Sequence, residues 1–137
     1  MSYRQCFSID ISCAKGGDIN DMQADAIFTM IEKISNMTWD VLSPVSFYVD
    51  DVRWWDCDRD LATLSHLYPD IRFDVFTDGE DSDDKSEITW INGCFHERWT
   101  EIPPFDPTKL VFYNGEIKSE FLPVKEDDNM KVSEDII

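Results

Sequence analysis

The stretch EITWINGCFHERWTEI, residues 87–102, sets Asn92-Gly93 between two runs rich in β-branched and aromatic residues. Both central residues of a two-residue type I′ turn need positive φ, and Asn-Gly meets that need at low steric cost. A hairpin is therefore predicted here, and the rest of the chain is read as elements that join its sheet.

Upstream, DIRFDVF (70–76) alternates Ile71, Phe73 and Val75 with Arg72 and Asp74, the period of a strand with one buried face. Before it, Leu61, Leu64, Leu67 and Tyr68 fall at helical spacing, and Pro69 stops the helix. The preceding DCDRD (56–60) offers three carboxylates as N-caps. VSFYVDDVRWW (45–55) puts Phe47 and Val49 opposite Tyr48, a strand expected to continue or bulge near Asp50 and Asp51.

At the N-terminal side, Phe7, Ile9, Ile11 and Cys13 alternate with Ser8, Asp10 and Ser12. A helix follows, capped by Asp18 or Asn20, with Ile19, Met22, Ala26, Ile27, Met30, Ile31 and Ile34 as its apolar stripe, ending near Ser35 or Asn36. After PPFDP (103–107), LVFY adds a short strand or an extended arm. The order β-α-β-α-β-β-β predicts a two-layer α+β domain over residues 1–113, with a mainly antiparallel sheet of ferredoxin-like character and helices on one face. Residues 114–137 are expected to form an acidic arm or tail, partly frayed.

The 137 residues suit one domain, in which roughly two-thirds of the unfolded surface can be buried. Apolar content of 42% excludes a disordered acidic tail, so the net charge of -17 sits on a folded surface. That charge repels phosphate backbones and anionic membranes, and it selects a basic partner. Four cysteines without a C-x-x-C pair read as reduced thiols, and no leader or membrane-length apolar run is present, which predicts a cytoplasmic protein.

Catalytic patterns are sparse. Asp56, Asp58 and Asp60 imitate the start of a calcium loop, but Leu61 replaces the sixth-position Gly and Leu67 the final Glu, so no metal or other cofactor is expected. Cys94 and His96 share a strand face without a visible third group, and His66 reads as a boundary residue. The sequence has no Walker A loop, G-x-G-x-x-G, H-E-x-x-H or G-x-S-x-G. A non-enzymatic binding role is expected.

The densest charge is TDGEDSDDK (77–85), with Asp78, Glu80, Asp81, Asp83 and Asp84 inside seven positions. Seven extended residues span at most about 25 Å, which places a charge roughly every 5 Å. A second group comprises Asp50, Asp51, Asp56, Asp58 and Asp60, and on one edge the two would form a negative stripe. Adjacent Trp54 and Trp55 would point to opposite faces of a strand, leaving one as an interface anchor.

Residues 54–93, WWDCDRDLATLSHLYPDIRFDVFTDGEDSDDKSEITWING, resemble a pattern in small acidic α+β proteins of phages, prophages and plasmids. It consists of a Trp, an acidic helix start, LS with a short helix, YPD, an F-x-V strand, a GE-acid turn and an NG hairpin. The resemblance implies a mobile-element protein in a bacterial host cell, similar in profile to anti-CRISPR and other anti-defence inhibitors. The expectation is a nucleic-acid mimic that occupies the nucleic-acid-binding surface of a basic host protein such as a CRISPR effector. Its main contacts would be Asp78, Glu80, Asp81, Asp83 and Asp84, joined by Asp50, Asp51, Asp56 and Asp58. Two alternatives stand beside it: an assembly module using exposed Trp and a sheet edge, and an unfamiliar enzyme with a Cys-His or carboxylate-metal site.

Overall fold

The computed structural model describes residues 5–79, 85–99 and 102–123. In chain order it has β1 (Gln5–Cys13), α1 (Asp21–Ser35), β2 (Asp40–Ser43), β3 (Ser46–Val52), α2 (Cys57–Leu67), β4 (Ile71–Asp78), β5 (Lys85–Ile91), β6 (Cys94–Trp99) and β7 (Val111–Phe112). All seven strands form one sheet, ordered β2-β3-β1-β4-β5-β6-β7, with every neighbouring pair antiparallel. The first six elements are a βαββαβ unit with the split-βαβ strand order of ferredoxin-like folds, and β5 to β7 widen it as a meander.

β2 is the strand that completes this unit, and it lies in what reads from sequence as a Pro-containing connection. Its four residues, DVLS, are exposed or half-buried, so they carry no alternation to reveal a strand. Strand β3 bulges as expected: Gln5 faces Val52 and Phe7 faces Val49, so Cys6 opposes both Asp50 and Asp51. Asp51 absorbs the extra residue at φ +59.

The core lies between the sheet and the two helices. Phe7, Ile9 and Ile11 of β1, Phe47 and Val49 of β3, and Ile71, Phe73 and Val75 of β4 face Ala24, Ile27, Ile31 and Ile34 of α1 and Leu61 and Leu64 of α2. Asn20 caps α1 by accepting from the Gln23 N–H at 2.8 Å, worth about 1 kcal/mol, and Asn36 closes the helix in the left-handed region. Two members of the expected stripe fall outside it. Met22 and Ala26 are exposed, because the buried line runs through Ala24 and Ile27.

The Asn92-Gly93 turn has φ of +47 and +81 and joins Ile91 to Cys94. Gly93 is needed twice over. A Cβ at this position would lie 2.6 Å from the His66 ring, and the Gly93 N–H donates to Ser65 Oγ at 2.8 Å, so the hairpin tip docks on the end of α2.

Beyond β7 the chain returns to the core. Tyr113 packs edge-on against Trp90, and Ile117 and Phe121 pack on the core. Lys118 places its ammonium 2.8 Å from an Asp60 oxygen and donates to the Ile34 carbonyl in the last turn of α1. The first part of the expected arm, residues 114–123, thus packs against the core, and residues 124–137 lie outside the described residues.

Candidate functional site

The sheet's second face, turned away from the helices, follows from strand period and register. One row runs Ser46, Asp10, Asp74, Thr89, His96. A second runs Asp40, Tyr48, Ser8, Phe76, Glu87, Arg98. The third runs Cys6, Asp78, Lys85, with Asp50 beside Cys6. Rows two residues apart along a strand are separated by about 7 Å.

This face divides in two. Over β4, β5 and β6 lies the strap of residues 102–110. Arg98, buried, donates to the Pro103 carbonyl at 3.3 Å and to Thr89, and lies 3.5 Å from Glu87. Arg72 pairs with Asp74 at 2.9 Å while its guanidinium stacks on Phe105 at 4.4 Å. His96 faces Phe105 and accepts the Asp106 N–H at 3.4 Å. Charge here is matched by charge.

Over β2, β3 and β1 the face is bare among the described residues. These strands contain no Lys or Arg and present Asp10, Asp40 and Asp50 among Ser8, Ser12, Ser46 and Tyr48. Ser46 donates to Asp10 at 2.7 Å and the Cys6 thiol to Asp50 at 2.7 Å, which orients the carboxylates without neutralising them. Among the described residues none of the three has a cation at ion-pair distance. Tyr48 is pushed up to about 12, first by its hydrogen bond with Cys6, then by burial and the negative charges of Asp50 and Asp78. It therefore stays a neutral hydroxyl among carboxylates.

Asp78 ends β4 opposite Cys6 on one side and Lys85 on the other, so the acidic connection between β4 and β5 leaves from the corner that holds Asp50. Glu80, Asp81, Asp83 and Asp84 lie outside the described residues. The second acidic group does not join this corner as a single stripe. Asp56 and Asp58 belong to the start of α2 in the helix layer. Asp56 sits at the N-cap position without a side-chain cap bond, and its carboxylate lies 3.7 Å from Lys118. Asp60 is fully buried: it accepts from Trp54 Nε1 at 2.7 Å and pairs with Lys118. Burial pushes its carboxyl up, against the pull of Lys118 and Trp54.

The two tryptophans separate as expected, in a turn after β3 instead of on a strand. Trp54 cannot serve as a partner anchor, since it is 8% exposed and wedged edge-on against Phe7 and Trp39. Trp55 is 81% exposed, with the Arg53 guanidinium 5.7 Å from its ring. Its solvent-facing ring remains the available one.

Cys94 and His96 do share the second face, but His96 is engaged by the strap and Cys94 lies opposite Phe112 of β7. Cys57 is pushed well up by burial and then by Asp58, Asp60 and Glu97, which makes it a poor nucleophile. Among the described residues no group of three or more His, Cys, Asp or Glu is placed to hold a metal ion, and no helix is long and apolar enough to cross a membrane.

The signal that sequence reading missed was Asp10 and Asp40. Asp10 looked like the polar phase of an ordinary strand, and Asp40 belonged to no recognised element, so only the register of β2, β3 and β1 brings them to the face that holds Asp50. No family model, curated protein or solved structure matches this chain.

Proposed function

We propose that this protein is a non-enzymatic binding protein that lays its bare carboxylate face, with the acidic segment following Asp78, into the nucleic-acid-binding surface of a basic protein. Its setting is the cytoplasm of a bacterial cell, and its role is that of an inhibitor carried by a phage or other mobile element. The observation that carries the reading is the half-sheet β2-β3-β1. It has no cation in its strands, three exposed carboxylates of which Asp10 accepts from a hydroxyl and Asp50 from a thiol, and a border with the corner where the chain's densest charge begins. A face of fixed negative charge steers a basic groove onto itself and weakens with salt as the charges are screened.

The test is capture of partners from a bacterial lysate at low and high salt, with the wild-type chain and with Asp10, Asp40, Asp50 and Asp78 changed to Asn. The expected result is a basic nucleic-acid-handling protein that elutes with salt, is displaced by nucleic acid and is lost in the fourfold variant. Retention of the same partner by that variant rejects the face.

Trp55 favours a second reading, an apolar interaction module. A partner held by its exposed ring would resist salt and be lost on Trp55→Ala.

A further inference from the structure

A different surface lies at the opposite side of the sheet's bare half. Edge strand β2 has no neighbour beyond it among the described residues. Val41 and Leu42 are 58% and 63% exposed there, and Met22, on the adjoining first turn of α1, is 82% exposed. Val41 pairs with Phe47, a core residue, so it points to the helix side of the sheet, away from Asp10 and Asp50. Between β2 and α1 runs a groove of about 330 Å³ lined by Val41, Ser43, Pro44, Asp21 and Asp25.

The charges are placed against the apolar floor. Asp21 and Asp25 are four residues apart on α1 and line the same wall. Neither has a cation at ion-pair distance among the described residues. Asp21 suits the helix N-terminus, but Asp25 lies a turn further on, next to a like charge. Apolar floor and anionic wall together match one kind of side chain, an aliphatic stem ending in a cation.

We propose that this groove is a docking surface for an extended basic segment of a partner protein. An Arg or Lys stem would lie on Val41 and Pro44 with its cation between Asp21 and Asp25, and a neighbouring apolar side chain would cover Leu42 or Met22. β2 is short and its register slips between Val41 and Ser43, which limits continuous strand addition and puts the recognition in side chains. Charge argues against the other occupants. A second copy brings -17, and residues 124–137 of this chain carry five carboxylates against two lysines. The surface uses none of the residues of the bare carboxylate face, so it stands or falls separately from the function proposed above.

The experiment is a titration of the isotope-labelled full chain with an acetylated, amidated pentapeptide of alternating valine and arginine, followed by amide chemical shifts. The expected shifts gather at residues 21–25 and 40–44. Asp21→Asn with Asp25→Asn should weaken binding about fivefold, and Val41→Ser about threefold. Both sites are exposed, and unchanged shifts elsewhere would report that each variant folds. Asp10→Asn with Asp50→Asn should leave the affinity as it is. Shifts centred on β1 and β3, indifference to the α1 and β2 substitutions, or a concentration-dependent dimer that buries Val41 would each overturn the proposal.

Discussion

The two halves of the sheet's open face share strands of the same period and differ in what they do with charge. Over β4 to β6, Arg72 and Arg98 answer Asp74 and Glu87, and Phe105 is laid across the guanidinium groups as a lid. Over β2, β3 and β1, Asp10 meets only a hydroxyl donor, Asp50 only a thiol, Asp40 has no cation beside it, and nothing covers the three among the described residues. Where charge is paired and covered it contributes to the fold; where it is presented unpaired, its field reaches into solvent.

Substitutions can test that contrast. The largest effect is expected from Arg98→Ala, which leaves Glu87 and the Pro103 carbonyl without their buried donor and should cost about 2–4 kcal/mol in denaturant unfolding. Phe105→Ala should cost less, about 1–2 kcal/mol, and should open the strap to proteolysis between residues 102 and 110 while the helix layer stays protected. If neither loosens the strap, the covered half is not held by its charges.

The bare half should respond in the opposite way. Asp10, Asp40 and Asp50 changed together to Asn should shift stability by no more than about 0.5 kcal/mol, with salt-dependent binding lost. A large loss of stability would show that these carboxylates serve the fold after all.

The smallest effect concerns an exposed carboxylate on the helix-facing side of β6, a control for the cost of unrelieved negative charge. Glu97 is raised by burial and then by Asp58, against a hydrogen bond from Trp99. A carboxyl that is raised in the folded state binds more protons there than when unfolded, so it lowers stability above its raised pKa. Glu97→Gln should therefore raise Tm on the order of 1–2 °C at pH 7. The gain should shrink as pH falls through the raised value and be gone below the ordinary 4.5. A gain that persists in acid would have another cause.

Much of the fold was legible because its signals are local. Ile9 and Ile11, Phe73 and Val75, and Asn92-Gly93 each announce their element within a few residues, and all take the expected role. What was illegible depends on partners far along the chain. Asp60 reads as one more acidic residue at a helix start until Lys118, distant in sequence, reaches it. Trp54 and Trp55 are identical in type, and only the burial of one against Phe7 and Trp39 tells them apart. The candidate face was half legible. Asp50 and Asp78 were singled out from local density, while Asp10 and Asp40 joined them only through the register of a strand too short to recognise.

The central position of β1 also governs how the chain emerges from the ribosome. β1 is made before both of its neighbours, yet it must hydrogen-bond on one side to β3 and on the other to β4, which ends at Asp78, 65 residues after Cys13. At about 5–20 residues per second, both edges of an alternating Phe-Ile-Ile strand stay open for several seconds of synthesis. Asp10, charged and set mid-strand, is a gatekeeper through that interval: two nascent chains that tried to pair their first strands would have to bring their carboxylates together.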